Sequence, residues 1–163
     1  MSKAVLISIR PEWCDLIKNG IKTLELRKSR PKLEVPFKVY IYCTIGCSFL
    51  IGGKHPLSGN GKIIGEFVCD NVTAFSLLDN GSVQDFILNK LENSCLSYRE
   101  ISRYIGINKV GYSWHISDLK IYDIPKELSE FKGLRKTKFG YEPIKIKKPP
   151  QSWCYVEERE ENA

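Results

Sequence analysis

The pattern of apolar and polar positions in the first third of the chain predicts three strands and one helix. Residues 4–9 are almost continuously apolar, which is typical of a buried strand. A helix is predicted to begin at Pro11, because proline is well tolerated in the first turn, and to end near Gly20. Strict alternation of apolar and polar residues then predicts half-buried strands over residues 22–28 and 37–43.

The rest of the chain continues with mixed signals of strand and helix. A strand is predicted from residue 62 to residue 72, and two capping-box patterns predict helices that begin after Ser82 and Ser97. Alternation over residues 112–124 predicts a long strand, and residues 152–157 predict a short final one.

This order of elements predicts a single α+β domain over residues 1–158. Short strands with few strong edges favour a small β-barrel of about six strands, flanked by two to three helices. Residues 46–61, with five glycines and one proline, predict a long loop. Residues 159–163 predict an acidic, flexible tail.

Composition narrows the class of protein. Hydrophobic residues make up 42% of the chain, which excludes a disordered protein. No apolar run approaches the roughly 18–20 residues of a membrane span, and no secretion signal is visible, so we expect a cytoplasmic protein without membrane contact. The six cysteines are spaced irregularly, which predicts reduced thiols rather than disulfides. Neither they nor the two histidines form a zinc pattern, so we expect no metal and no cofactor.

The positive charge is concentrated in two segments. The net charge of the chain is +6, and the basic residues cluster over residues 18–32 and 132–148. Phe139 and Tyr141 lie inside the second segment, where bases could stack while lysines hold phosphates. Nucleic acid is therefore the expected partner, although a basic surface that only aids solubility remains the alternative. The candidate nucleic-acid-binding residues are Arg10, Lys22, Arg27, Lys28, Arg135, Lys136 and Lys138.

The stretch Gly20-Ile-Lys-Thr-Leu-Glu-Leu-Arg27 is the richest in chemistry. Period two places Glu25 and Arg27 on one strand face, and Lys22 lies at the strand entrance. Arg27 could grip a phosphate, and Lys22 could act as a base or nucleophile. The alternative is an exposed strand face with a surface ion pair.

Two residues elsewhere in the chain are weaker candidates for chemistry. Ser152 follows two prolines at a rigid strand entry, which makes it a third catalytic candidate beside Lys22 and Glu25. His115 lies on a polar strand face, but the sequence reveals no acid partner for it.

The glycine–lysine–arginine motif, directly after Val5-Leu-Ile-Ser-Ile-Arg-Pro-Glu-Trp, resembles the ASCH domain, a family similar in fold to the RNA-binding PUA domains. Lys62-Ile-Ile-Gly-Glu-Phe-Val-Cys resembles the central barrel strand of that family. The stretches that begin at Trp114 and Pro149 resemble the closing strands of phage and prophage members.

The resemblance implies a β-barrel with a cleft beside the Lys22 strand, in a family proposed to bind RNA or modified nucleotides. Some members hydrolyse the amide of N4-acetylcytidine with a lysine, a threonine and a glutamate, and at least one is reported to cut RNA. Lys22 matches that lysine, whereas this chain has Glu25 at the position of the threonine.

Three functions follow from the residues and the resemblance. The first is an RNA-binding or other nucleic-acid-binding module whose cleft holds a nucleotide, such as a modified base, with Lys22, Glu25 and Arg27. The second is an enzyme, either an amidohydrolase on N4-acetylcytidine or a metal-independent ribonuclease, with Lys22 as its key group. The third is a phage-type protein that binds a host factor. The sequence does not predict the oligomeric state.

Overall fold

The computed structural model describes residues 2–45, 60–77 and 90–160. The strands are β1 (Lys3–Ile9), β2 (Leu24–Arg27), β3 (Phe37–Cys43), β4 (Ile63–Ser76), β5 (Val110–Lys126), β6 (Lys132–Thr137), β7 (Gly140–Lys145) and β8 (Trp153–Glu157). The helices are α1 (Pro11–Lys18) and α2 (Tyr98–Ile105). The strands form one sheet in the order β2-β5-β4-β3-β1-β8-β6-β7, so β2 and β7 are its two ends.

Several sequence predictions are confirmed. Strand β3 has the predicted bounds, and β1, β4, β5 and β8 lie within four residues of the predicted bounds at each end. Helix α2 begins at the predicted capping box, in which the Ser97 side chain accepts from the Glu100 N–H and the Glu100 side chain accepts from the Ser97 N–H. Most of the helix predicted after Ser82 and most of the loop 46–61 lie outside the described residues.

The predicted barrel of about six strands is not matched, because the described residues form eight strands in an open sheet. The two extra strands are β6 and β7, which pair as an antiparallel hairpin from Lys132↔Lys145 to Thr137↔Gly140. Sequence reasoning missed the hairpin because lysines occupy many of its positions and hide the apolar alternation.

The chain divides into two compact units. Unit 1 comprises residues 1–15, 37–68 and 118–163. Within it, β1 pairs in parallel with β3 and antiparallel with β8. One face of these strands builds an apolar core, in which the rings of Tyr40 and Phe131 meet edge to face at 4.9 Å. The core residues are Ala4, Leu6, Tyr40, Tyr42, Ile63, Phe131 and Val156.

Unit 2 comprises residues 16–36 and 69–117, and it has a core of its own. Strand β2 pairs antiparallel with β5, from Leu24↔His115 to Arg27↔Tyr112. Leu26 on β2 packs with Ile101 and Ile105 of α2, whose apolar face therefore covers this side of β2. Separate cores give each unit its own set of positioned side chains.

Candidate functional site

The Lys22–Glu25–Arg27 cluster is formed by β2, by Lys22 two residues before it and by the carbonyl group of Ser94. Arg27 Nε donates to Glu25 Oε1 over 2.9 Å, because period two places both side chains on one face of the strand. Lys22 Nζ donates to the Ser94 carbonyl oxygen at 2.6 Å and lies 3.5 Å from Glu25 Oε2. The structure thus brings together the three residues that the sequence grouped.

Burial of this cluster was not expected. Lys22, Glu25 and Arg27 are only 2%, 6% and 8% exposed, whereas both sequence interpretations required an accessible strand face. The pairing with β5 explains the difference, because Glu25 lies opposite Trp114, which is fully buried, and Arg27 lies opposite Tyr112. Three cavities lie beside Tyr122, Arg30 and His115 among the described residues, and the cluster lines none of these three.

The electrostatics of the cluster depend on Glu25. Two cations flank this single carboxylate, and all three side chains are at most 10% exposed. Glu25 Oε2 is buried and accepts no hydrogen bond from the described residues, and Lys22 Nζ lies 3.5 Å away from it. A buried ion cluster of this kind depends on keeping its partners, because an isolated buried charge is costly.

The β6–β7 hairpin presents a very different group of basic and aromatic side chains, which we call the hairpin surface: Lys132, Lys136, Lys145, Tyr141 and the tip residues Lys138 and Phe139. The register pairs Lys132 with Lys145 and Lys136 with Tyr141, so these four side chains share one face. Phe139 lies at the turn and is 98% exposed.

Strands β1 and β8 contribute aromatic and basic groups beside the hairpin surface. Lys3 Nζ lies 3.6 Å from the centre of the Tyr141 ring and 5.9 Å from that of Tyr155, a cation–π arrangement. The Tyr141 and Tyr155 rings meet edge to face at 6.1 Å. Arg135, on the opposite face, is held by Glu142, to which its Nε donates at 2.9 Å.

The remaining candidates are distributed over both units. Arg10 is exposed, and its carbonyl oxygen accepts from the N–H groups of Trp13 and Cys14 at the start of α1. Lys28 is exposed, with its Nζ 5.1 Å from the centre of the Tyr104 ring. Ser152 is half-buried in unit 1, whereas Lys22 and Glu25 belong to unit 2. A catalytic role for Ser152 stays a prediction.

Sequence reasoning missed an acid partner for His115. His115 Nδ1 lies 2.6 Å from Asp70 Oδ1, and both side chains are nearly half exposed. The two residues are 45 positions apart and belong to β5 and β4, so no local pattern signals the pair. His115 also lines a cavity of about 460 Å³ in unit 2.

Unit 1 contains a second partly buried charged cluster, around Glu66. Lys38 Nζ lies 3.0 Å from Glu66 Oε2, and the Tyr122 hydroxyl donates to Glu66 Oε1 at 2.8 Å. Burial acts to raise the pKa of Glu66, but the hydrogen bonds and positive charge of its neighbours lower it further, so the net pKa is below its ordinary value. Burial and the Glu66 carboxylate both raise the pKa of Tyr122.

Three further features concern metal binding, membrane spans and the cysteines. Within residues 2–45, 60–77 and 90–160, no group of three or more His, Cys, Asp or Glu residues is arranged to hold a metal ion. No helix in these segments is long and apolar enough to span a membrane. Among the cysteines in these segments, Cys69, Cys95 and Cys154 are free thiols.

The fold is similar to that of ASCH proteins from Zymomonas mobilis. One such structure, a serine-to-alanine mutant, is 16% identical in sequence with a TM-score of 0.62, over 94% of this chain and 88% of that one. The unsubstituted protein is 16% identical with a TM-score of 0.59, over 94% of this chain and 87% of that one. At this identity the likeness establishes the fold alone.

Sequence comparison identifies the family. The search of curated proteins returns no match. The expected resemblance to phage members receives no support from the structural neighbours and stays a prediction. The profile of the ASCH domain, in contrast, matches residues 7–150, which is most of the chain and runs through both units. The chain therefore belongs to the ASCH domain family.

Proposed function

We propose that this ASCH protein binds single-stranded RNA through the hairpin surface. The observation that carries the proposal is Phe139, which is 98% exposed at the tip of a hairpin with lysines on both sides of the turn. A fully exposed phenylalanine ring contributes nothing to the apolar core. It does provide a flat surface on which a base can stack.

The lysines of the hairpin surface support the same proposal. Lys132 and Lys145 are directly opposite each other across the two strands, and like charges in this position destabilise a hairpin. The segment 132–148 has seven basic side chains and one acidic side chain, and that acid, Glu142, is held by Arg135 on the other face. A polyanion would relieve the repulsion that the fold leaves on this face.

RNA is favoured over a protein partner by the combination of stacking and charge. Recognition of single-stranded RNA commonly uses aromatic rings on a sheet surface for the bases and Lys or Arg for the phosphates. Phe139 supplies an open ring, while Lys3 already occupies one face of Tyr141 and adds a further positive charge beside it. Arg10 in unit 1 and Lys28 in unit 2 are exposed, and each remains by itself a proposed contact to phosphate.

Anisotropy of a fluorescein-labelled, ten-nucleotide single-stranded RNA tests the proposal. Binding should weaken strongly as salt rises from 50 to 200 mM, and Phe139→Ala should weaken it about tenfold, within the range for loss of one stacked base. The double variant Lys136→Ala/Lys138→Ala should reduce the salt slope by roughly 1.4, or about 0.7 for each lost phosphate contact.

The double variant Lys18→Ala/Lys109→Ala is the matched control, because it removes two exposed lysines of unit 2 and the same net charge. It should keep most of the affinity. An equal loss of RNA affinity in the control and in the hairpin variant would mean that the RNA binds only by general charge attraction. Absence of binding at 50 mM salt would make the proposal wrong.

A hydrolase is the second candidate, and the contact between Lys22 and Glu25 favours it. A buried lysine 3.5 Å from a carboxylate oxygen with an open acceptor position is an arrangement that can move a proton. This candidate requires the substrate to reach a pair that is now buried. Incubation with RNA and with N4-acetylcytidine, followed by mass spectrometry, should then show deacetylation or chain cleavage that Lys22→Ala abolishes while the circular dichroism spectrum is unchanged.

A further inference from the structure

His115 and Asp70 form an oriented pair that the RNA proposal does not use. The Asp70 carboxylate can only accept a hydrogen bond, so His115 Nδ1 carries the proton at the 2.6 Å contact. In the neutral imidazole the second nitrogen, Nε2, is then an acceptor. A carboxylate that fixes the tautomer and the ring orientation in this way prepares the other nitrogen for a ligand.

His115 lines a cavity whose walls have a distinct chemistry. The cavity measures about 460 Å³, which lies in the range of small-molecule sites, about 300–1,000 Å³. Leu24 and Phe75 provide an apolar wall, and Lys90 adds a positive charge. The Asn71 amide N–H donates to the Thr73 hydroxyl at 3.1 Å, which orients the amide oxygen as an acceptor.

We propose that this cavity binds a small flat ligand that carries an anionic group and an O–H or N–H donor. The ring packs against Leu24 and Phe75, the anion pairs with Lys90, and the donor binds His115 Nε2. A nucleoside monophosphate and an aromatic carboxylate both have this chemistry. The site lies in unit 2 and the hairpin surface in unit 1, so this inference does not depend on the RNA proposal.

Stability alone does not account for the His115–Asp70 pair. The two side chains are 43% and 47% exposed, and a polar contact with such exposure contributes little to stability. The two residues lie on β4 and β5, which are already hydrogen-bonded neighbours in the sheet, so the contact is not needed to align these strands. Beside a cavity, however, an imidazole with a fixed tautomer serves recognition of a hydrogen-bond donor.

Nuclear magnetic resonance of the His115 ring tests the site directly. The chain has only two histidines, so the variant His55→Gln leaves a single ring to observe. Adenosine 5′-monophosphate and indole-3-acetate are titrated separately. We expect a saturable shift of the His115 ring signals with at least one probe, and the probe that binds distinguishes a nucleotide site from an aromatic carboxylate site.

Three variants then show whether binding uses the proposed contacts. His115→Ala, followed through the Thr73 backbone amide signal, should weaken binding about tenfold, and Asp70→Asn about threefold. Ala74→Trp fills the cavity without changing the pair and should abolish binding.

Asp15→Asn is the control, because it removes an exposed acid on α1 and should leave the affinity unchanged. The proposal is overturned if neither probe shifts the His115 ring at 10 mM. Affinity that survives both His115→Ala and Ala74→Trp, in variants whose amide spectra show a folded protein, overturns it as well.

Discussion

The Lys22–Glu25–Arg27 cluster and the hairpin surface are both rich in cations, but they differ in solvent exposure and in pairing. In the cluster, two cations share one carboxylate and all three residues are less than 10% exposed. On the hairpin surface, Lys132 and Lys145 face each other directly and are exposed. The first arrangement keeps buried charges compensated, whereas the second accumulates positive charge in water.

This difference shows where a partner is most needed. The buried cluster contains its own counter-charge. Substitution of that counter-charge should therefore first lower the stability of the protein. The lysines of the hairpin surface repel each other, and this repulsion does not stabilise the fold. Substitution of these lysines should therefore affect RNA binding first. The measurements below test this division, from the largest expected effect to the smallest.

Glu25→Gln should give the largest effect. It leaves Lys22 and Arg27 buried without their carboxylate, so the free energy of unfolding should fall by about 3–5 kcal/mol. Chemical denaturation measures this change. Glu142→Gln, which breaks the exposed ion pair with Arg135, is the control and should cost about 0–1 kcal/mol. Equal losses in the two variants would contradict the contrast between the regions.

Two thiols extend the comparison to burial without a paired charge. Burial raises the pKa of Cys69, in unit 2, and of Cys154, in unit 1, to about 11 in each case. The thiolate fraction at pH 8 is then about a hundredfold lower than for a thiol with a pKa of 9. Alkylation by iodoacetamide, mapped by mass spectrometry, should be correspondingly slow at both and accelerate up to pH 11. Rapid labelling of either at pH 8 would contradict the expectation.

Glu66→Gln tests a cluster of intermediate burial. Because the folded-state pKa of Glu66 is lowered, its stabilising effect is present above the ordinary value of 4.5 and is lost as pH falls through the folded value. The variant should be less stable than the unsubstituted protein by about 1–3 kcal/mol at pH 7, with the difference shrinking in acid. Denaturation curves from pH 7 down to pH 3 measure it. A difference that stays constant over this range would exclude the carboxylate as its source.

Lys145→Glu should give the smallest effect on stability, and this effect should be a gain. It replaces two opposed lysines by a cross-strand ion pair, so the protein should gain about 0.2–1 kcal/mol. RNA affinity should fall in the same variant, because the hairpin surface loses two units of positive charge. Thermal unfolding and anisotropy measure the two effects. A variant that loses both stability and affinity would show that the hairpin itself is damaged.

Most elements could be predicted because their signals are local. The capping box at Ser97 and the alternation of residues 37–43 both act within a few residues, and the structure has a helix and a strand there. The β6–β7 hairpin escaped prediction because lysines hide its apolar alternation, and because β6 joins the sheet through β8, where Gly133 lies opposite Val156. A basic segment with few apolar positions gives no sign of that partner.

The grouping of Lys22, Glu25 and Arg27 also followed from the sequence, since alternation on a strand is a property of the backbone. The amino-acid sequence alone determined the basic segments, the family motif and the order of most elements. Only the tertiary structure decided that this group is buried, that Phe139 is exposed and that Asp70 reaches His115. Burial and pairing across strands depend on residues far apart in the chain, and no local pattern specifies them.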